Sequence, residues 1–144
     1  MSESNAMAAV IADGVHLHPA MLQIVWRTRG PLGTIVTSDR VAIAGSPGAE
    51  AASPDEASVR EGAARLNDGT LAGSMITMLE AVRNMDRYAH LDASGIMHAA
   101  AHNPARVLGL ADRGNLQPHS HADLLLLDRE LGLKAVFIGG REVA

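Results

Sequence analysis

Val36-Thr37-Ser38-Asp39 closes an apolar run with a pair of hydroxyls and a carboxylate. Before it, Leu32, Thr34, Ile35 and Val36 read as a short buried strand, because a strand covered on both faces shows a continuous apolar run instead of alternation. Asp39 then stands where the strand leaves its sheet. In parallel α/β folds the loops at the carboxyl ends of strands converge on one concave face, so a carboxylate there is a candidate catalytic group. One helix earlier, Val10-Ile11-Ala12-Asp13-Gly14-Val15-His16 reads as a second strand end that delivers a histidine to the equivalent place.

Working outward, Ala8 to Ala12 reads as a strand and Asp13-Gly14 as its tight exit. Pro19 suits the first turn of a helix whose apolar side is Met21, Leu22, Ile24 and Val25, and Arg27-Thr28-Arg29-Gly30 ends it. Strand, helix and strand in this span suit a right-handed parallel crossover. From Val41 to Asn67, Gly45, Ser46, Pro47, Gly48, Ser53 and Pro54 argue for a long loop, with Val59 to Leu66 as a short ribbon within it. Asp68-Gly69-Thr70-Leu71-Ala72-Gly73-Ser74 reads as a turn leading straight into a helix with the apolar stripe Met75, Ile76, Met78, Leu79 and Val82. Open amides at such a start would attract a phosphate or carboxylate, and the plainer account makes Ser74 a helix cap. A further helix is expected from Asp92 to His102, stopping at Asn103-Pro104, with one more turn over Ala105 to Leu110. The tail reads as β: Ala122 to Asp128, a charged turn at Arg129-Glu130, Leu133 to Ile138, and a turn at Gly139-Gly140.

Length and composition bound what this chain can do. Its 144 residues allow one domain with a core but not a complete eight-stranded α/β barrel, which takes about 250 residues. Apolar residues make up 47% and aromatics 2%, so the core rests on small and aliphatic side chains that each bury little area, and a marginal fold is expected if the chain stands alone. A net charge of −4 and scattered arginines give no footprint for nucleic acid. The absence of cysteine excludes disulfides and thiolate metal sites and fits a cytoplasmic protein. No apolar run approaches the roughly 20 residues that span a bilayer, so no membrane partner is expected.

Seven histidines raise the question of a metal. His98 and His102, four apart on one helix, have a workable ligand spacing but no evident third ligand. His119 and His121 fall in a surface turn, and His18 only precedes a helix. His16 differs because it leaves a buried strand, where side chains line pockets. Asp39 could cap the next segment or pair with Arg40; if catalytic, it would move protons between an attacking water and a leaving group. Attack on an amide at neutral pH generally needs a metal that lowers the pKa of water toward about 7, and no convincing ligand set is present.

Ile11-Ala12-Asp13-Gly14-Val15-His16, Val36-Thr37-Ser38-Asp39, Asp68-Gly69-Thr70-Leu71-Ala72-Gly73-Ser74, Ala81-Val82-Arg83-Asn84, Asn103-Pro104-Ala105-Arg106-Val107-Leu108-Gly109 and Ala122-Asp123-Leu124 occur in this order. In that order they resemble the C-terminal portion of N-acetylglucosamine-6-phosphate deacetylases, of the amidohydrolase superfamily, over nearly the whole chain from about residue 9. The resemblance implies an α/β fold: the last two strands and helices of a metal-dependent (β/α)8 barrel, followed by C-terminal strands of a small β-sandwich. It implies removal of acetate from N-acetylglucosamine 6-phosphate to leave glucosamine 6-phosphate. Asp39 would be the general acid/base and His16 a substrate contact, with Asp13, Gly14 and Val15 in the same binding loop; Leu71, Ala72 and Gly73 would line the sugar pocket. The family's divalent cation, such as zinc, is held by a glutamate and two histidines that lie upstream of anything in this chain. The family's usual Thr-Asp is here interrupted by Ser38, a shift that turns a side chain over in an extended strand unless a bulge restores it.

The expected organisation is a disordered start or expression remnant at 1–7, a partial barrel segment at 8–110 with its long loop at 41–67, and sandwich strands at 111–144. The chain is expected to be a C-terminal fragment, inactive alone, whose partners are an amino-sugar phosphate and either a second copy or an N-terminal half. The alternative is a non-catalytic module that self-associates or complements an N-terminal chain, since exposed strand edges and apolar faces call for a partner.

Overall fold

The computed structural model describes residues 6–42, 44–45, 58–89 and 92–144. Most of the start, at 1–5, and much of the expected long loop, at 43 and 46–57, fall outside the described residues. The chain is mixed α/β and divides into two compact units, Met1–Ala100 and Ala101–Ala144.

In the first unit, β1 (Ala8–Ile11) and β2 (Thr34–Thr37) pair in parallel, with Ala8 opposite Thr34 and Ile11 opposite Thr37. Helix α1 (Pro19–Arg29) joins them, as the expected crossover requires. His18 does more than precede it: a ring nitrogen accepts the Ala20 N–H at 3.2 Å, and Pro19 fills a first-turn position where no amide donor is needed. Arg27 and Arg29 sit in the last turn, where cations favour the helix dipole, and Gly30 closes it with φ of 65°. The inward stripe is narrower than expected. Leu22 is buried, with Val25 and Trp26 half-buried beside it, whereas Met21 and Ile24 face solvent. Positions i, i+3 and i+4 from Leu22 share one face, and Met21 and Ile24 fall off it. Trp26 packs closely on Gly95, where a Cβ would stand 3.0 Å from its Cζ2.

The expected ribbon forms as β3 (Ser58–Arg60) and β4 (Ala63–Arg65), and a third antiparallel strand, β5 (Leu71–Ser74), joins it. That strand corrects the expectation of a turn running straight into a helix. The turn is confined to Asp68-Gly69-Thr70, where Asp68 Oδ1 accepts the Thr70 N–H at 2.9 Å. Helix α2 (Met78–Ala89) starts only after Thr77. Thr77 Oγ1 accepts the Glu80 N–H at 3.2 Å and Glu80 Oε2 accepts the Thr77 N–H at 2.6 Å, a reciprocal cap. Ser74 is therefore no helix cap, and the helix start is already served by the chain's own carboxylate. Ala81, Val82 and Met85 form the buried stripe of α2; Met75 and Ile76 precede the helix.

Helix α3 (Ala93–Met97) begins at Asp92, whose Oδ2 accepts the Gly95 N–H at 3.2 Å. It does not end at Asn103-Pro104. A π turn at His98–His102 leads into α4 (Asn103–Val107), and His98 and His102 keep right-handed helical dihedrals. Proline in an α-helix clashes with the carbonyl four residues back; the wider π turn immediately before Pro104 changes that spacing and lets the helical path continue.

In the second unit, Leu110 N–H closes the turn after α4 on the carbonyl of Ala105 at 2.9 Å. The tail is the expected β meander: β6 (Leu124–Leu127), β7 (Leu133–Ile138) and β8 (Arg141–Glu142), all antiparallel. Asp128 organises the first turn, its Oδ1 accepting the N–H groups of Glu130 at 3.1 Å and Gly132 at 2.6 Å and its Oδ2 pairing Lys134 Nζ at 2.9 Å. Leu131 and Ala135 are buried, while Leu125 and Leu126 are 58% and 55% exposed. Among the described residues no helix is long and apolar enough to cross a membrane.

Candidate active site

The loop after β1 is built by one carboxylate. Asp13 Oδ1 accepts the N–H groups of Val15 and His16, each at 2.9 Å, and Asp13 Oδ2 lies 2.6 Å from His16 Nδ1. The Asp13 side chain is 1% exposed and that of His16 15%. Burial pushes the Asp13 carboxyl up, but the hydrogen bonds from the His16 amide and ring and from the Val15 amide outweigh it, so the carboxyl is held below its ordinary value. Gly14 turns the chain with φ of 78° and passes Tyr88, whose Oη would be 3.0 Å from a Cβ there. From α2, Asn84 Nδ2 donates to the carbonyl of Ala12 at 2.7 Å. Asn84 was visible only as part of a motif; its signal is a polar residue one turn from the buried Ala81 on an amphipathic helix.

After β2 the chain leaves extended geometry. Asp39 has φ of 47°, in the left-handed region that non-glycine residues seldom occupy. The period-two argument about Ser38 therefore does not reach Asp39. Its carbonyl accepts the Ser74 N–H at 2.8 Å, the Ser74 carbonyl accepts the Val41 N–H at 3.1 Å, and the Ser74 hydroxyl donates to the carbonyl of Ser38. Ser74 is fully buried in this lattice, a role the sequence reading missed. Arg40 does not pair with Asp39: its guanidinium donates to the carbonyls of Met75 at 3.0 Å and Ala44 at 2.9 Å. The Asp39 side chain is exposed and accepts no hydrogen bond among the described residues.

Asp13 and Asp39 each lie two residues past the paired Ile11 and Thr37, so the two loops leave neighbouring strands at the same level. The structure brings Gly73 to Asp39: a Cβ on Gly73 would be 3.5 Å from Asp39 Oδ2. Leu71, half-buried, and Ala72, exposed, share β5 with Gly73. Val15 reaches Gly62 in the β3–β4 turn, at 4.0 Å from its Cβ position. No hydrogen bond or ion pair among the described residues joins His16 to Asp39.

Among the described residues the other histidines form no such site. His121 Nε2 lies 3.2 Å from Asp112 Oδ2 and 3.4 Å from Arg113 Nη2 in an exposed turn, and His98 is exposed. Among the described residues no group of three or more His, Asp or Glu could hold a metal ion. The donors among the described residues thus do not fit the cation that the resemblance implies.

The amidohydrolase family model matches residues 2–143. The chain belongs to the amidohydrolase family. Within this family it is 31% identical over 135 residues to an N-acetylglucosamine-6-phosphate deacetylase of Lysinibacillus sphaericus, covering 93% of this chain and 35% of the relative. It is 31% identical over 143 residues to an N-acetylgalactosamine-6-phosphate deacetylase of Escherichia coli O157:H7, covering 98% of this chain and 38% of the relative. A crystal structure of the N-acetylglucosamine-6-phosphate deacetylase of Thermotoga maritima superposes with a TM-score of 0.86 at 31% identity, over 94% of this chain and 38% of that one. The chain thus spans a little over a third of the length of these amidohydrolase relatives.

Proposed function

We propose that the chain serves hydrolysis of the acetamide of an amino-sugar phosphate, N-acetylglucosamine 6-phosphate giving glucosamine 6-phosphate and acetate. It contributes the last two strands and helices of a (β/α)8 barrel and the C-terminal strands of a small β-sandwich. In this reading Asp39 is the general acid/base, taking a proton from the attacking water and returning it to the amine that leaves. His16 contacts the sugar from the loop of Asp13, Gly14 and Val15, and Leu71, Ala72 and Gly73 line the sugar side. The observation that carries it is the parallel register of β1 and β2, which sets the loops of His16 and Asp39 at adjoining carboxyl ends, the position of active sites in parallel α/β sheets. The names of the relatives supply the substrate class.

The divalent cation, such as zinc, that assists the reaction in the intact family finds no ligand set among the described residues. On this reading the chain alone is expected to be inactive and to need a barrel portion supplied by other residues. A 1H–15N NMR titration of the purified chain with N-acetylglucosamine 6-phosphate tests the binding half. Shifts at 13–16, 39 and 71–73 support it; a spectrum unmoved at millimolar sugar overturns it. Zinc-dependent acetate release by the chain alone, at ordinary enzyme turnover, would overturn the dependence on other residues.

A second reading, a non-catalytic module that self-associates or complements another chain, is favoured by Leu125 and Leu126 standing more than half exposed on β6, an edge of its three-stranded sheet. A concentration-independent monomer in sedimentation velocity counts against self-association.

A further inference from the structure

Asp13 decides which hydrogen-bonding face His16 shows. Both oxygens of this carboxylate are engaged within its own loop, Oδ1 by two backbone amides and Oδ2 by His16 Nδ1, and at 1% exposure it offers no surface to a ligand. Its carboxyl is held below the ordinary value, so it is ionised across the neutral range. An ionised carboxylate only accepts, so Nδ1 must carry the proton; in a neutral imidazole the lone pair then lies on Nε2. Among the described residues Nε2 has no protein partner, and the ring keeps 15% of its surface exposed.

We propose that Asp13 is a positioning residue, not a ligand contact, which locks His16 in the Nδ1–H tautomer so that His16 Nε2 accepts a hydrogen bond from a hydroxyl or amide N–H of the bound sugar. The acceptor role rests on the reading of His16 as a sugar contact; the lock does not. The consequence is selectivity. In the neutral form of the ring, Nε2 so locked favours the sugar's hydroxyls and its acetamide N–H, and gives nothing to groups that only accept, such as ring oxygens or phosphate oxygens. The same carboxylate folds the turn from Asp13 to His16, so placement of the ring and placement of its proton depend on one side chain.

Asparagine separates these two tasks. Asp13→Asn keeps an Oδ1 acceptor for the amides of Val15 and His16 but sets an Nδ2 donor opposite His16 Nδ1, which drives the ring proton to Nε2. The test is a two-bond 1H–15N correlation spectrum of the full chain labelled at histidine, at about pH 9, above the ordinary histidine range near 6.5. The expected result is a wild-type His16 protonated at Nδ1, inverted in Asp13→Asn with backbone amides outside 12–17 unmoved. A wild-type ring protonated at Nε2, or averaging between tautomers, overturns the lock, even if the variant fails to fold. A folded variant with an unchanged tautomer also overturns it. Addition of N-acetylglucosamine 6-phosphate is read separately at Nε2: a locked ring whose Nε2 ignores the sugar overturns the acceptor role and leaves the positioning role standing.

Discussion

A Cβ on Gly73 would lie 2.9 Å from the carbonyl oxygen of Asp39, so the absence of a side chain on β5 is what lets the strand close on the segment after β2. Gly73 also has φ of 137°, and the same Cβ would stand 2.6 Å from Val41 Cγ1. Both the space and the backbone conformation exclude other residues.

Gly73→Ala is therefore expected to destabilise the chain by roughly 1–3 kcal/mol through overpacking and backbone strain. Urea denaturation measures the loss. The amide shifts of 38–41 should move with it, because the clash falls on the Asp39 carbonyl; an unchanged midpoint would mean that β5 does not close there.

Asp39→Asn should separate chemistry from stability. The carboxylate is exposed and makes no ion pair among the described residues, so a stability change within about 0.5 kcal/mol is expected in the same denaturation assay. In an assembly of this chain with the metal-holding portion of a relative, acetate release should fall by about 10²–10⁴, the range of a lost general acid/base.

Asp13 makes stability depend on acid. Its carboxyl titrates below the ordinary 3.8 because the hydrogen bonds from the His16 amide and ring and the Val15 amide outweigh the opposing effect of burial. The folded chain therefore binds this proton less readily than the unfolded one. The resulting stabilisation is complete above the ordinary value and drains away as pH falls from there through the lower folded value. Melting curves from pH 7 to pH 2 should show the advantage of wild type over Asp13→Ala shrinking only in that acid range. An advantage lost between pH 7 and pH 5 would place its source elsewhere.

Asn84→Ala should release the loop of His16. It leaves the carbonyl of fully buried Ala12 without the 2.7 Å bond from α2, at a cost of about 1–3 kcal/mol for an unpaired buried acceptor. Hydrogen exchange should quicken at 13–16 while β6–β7 amides keep their protection.

The sequence by itself carried the parallel crossover from Ala8 to Thr37. Its signals are local: continuous apolar runs, His18-Pro19 at one end of the helix and Gly30 at the other. The tail strands and the Asp68-Gly69 turn were legible for the same reason. The strand end of Asp39 and the histidine of the Asp13 loop could be named because a strand's last residues are fixed by the strand itself. Which face of α1 is buried depended on what packs against it, so Met21 and Ile24 were misplaced.

Tertiary structure alone decided the strand at Leu71–Ser74. That segment has no β-branched residue; it forms by pairing with β4, and its last residue, Ser74, adds hydrogen bonds to Ser38, Asp39 and Val41, more than 30 positions away by number. It also decided that Asp39 adopts a left-handed backbone on which β5 closes, while the structure shows helical geometry passing Pro104 through a π turn. The physical reason is shared by β5 and Asp39, the π turn being a local answer to Pro104. Local propensity chooses a conformation when neighbours along the chain complete its hydrogen bonds, whereas here the partners are brought by the fold, and a residue's own preference is outweighed by backbone groups that would otherwise be buried unpaired.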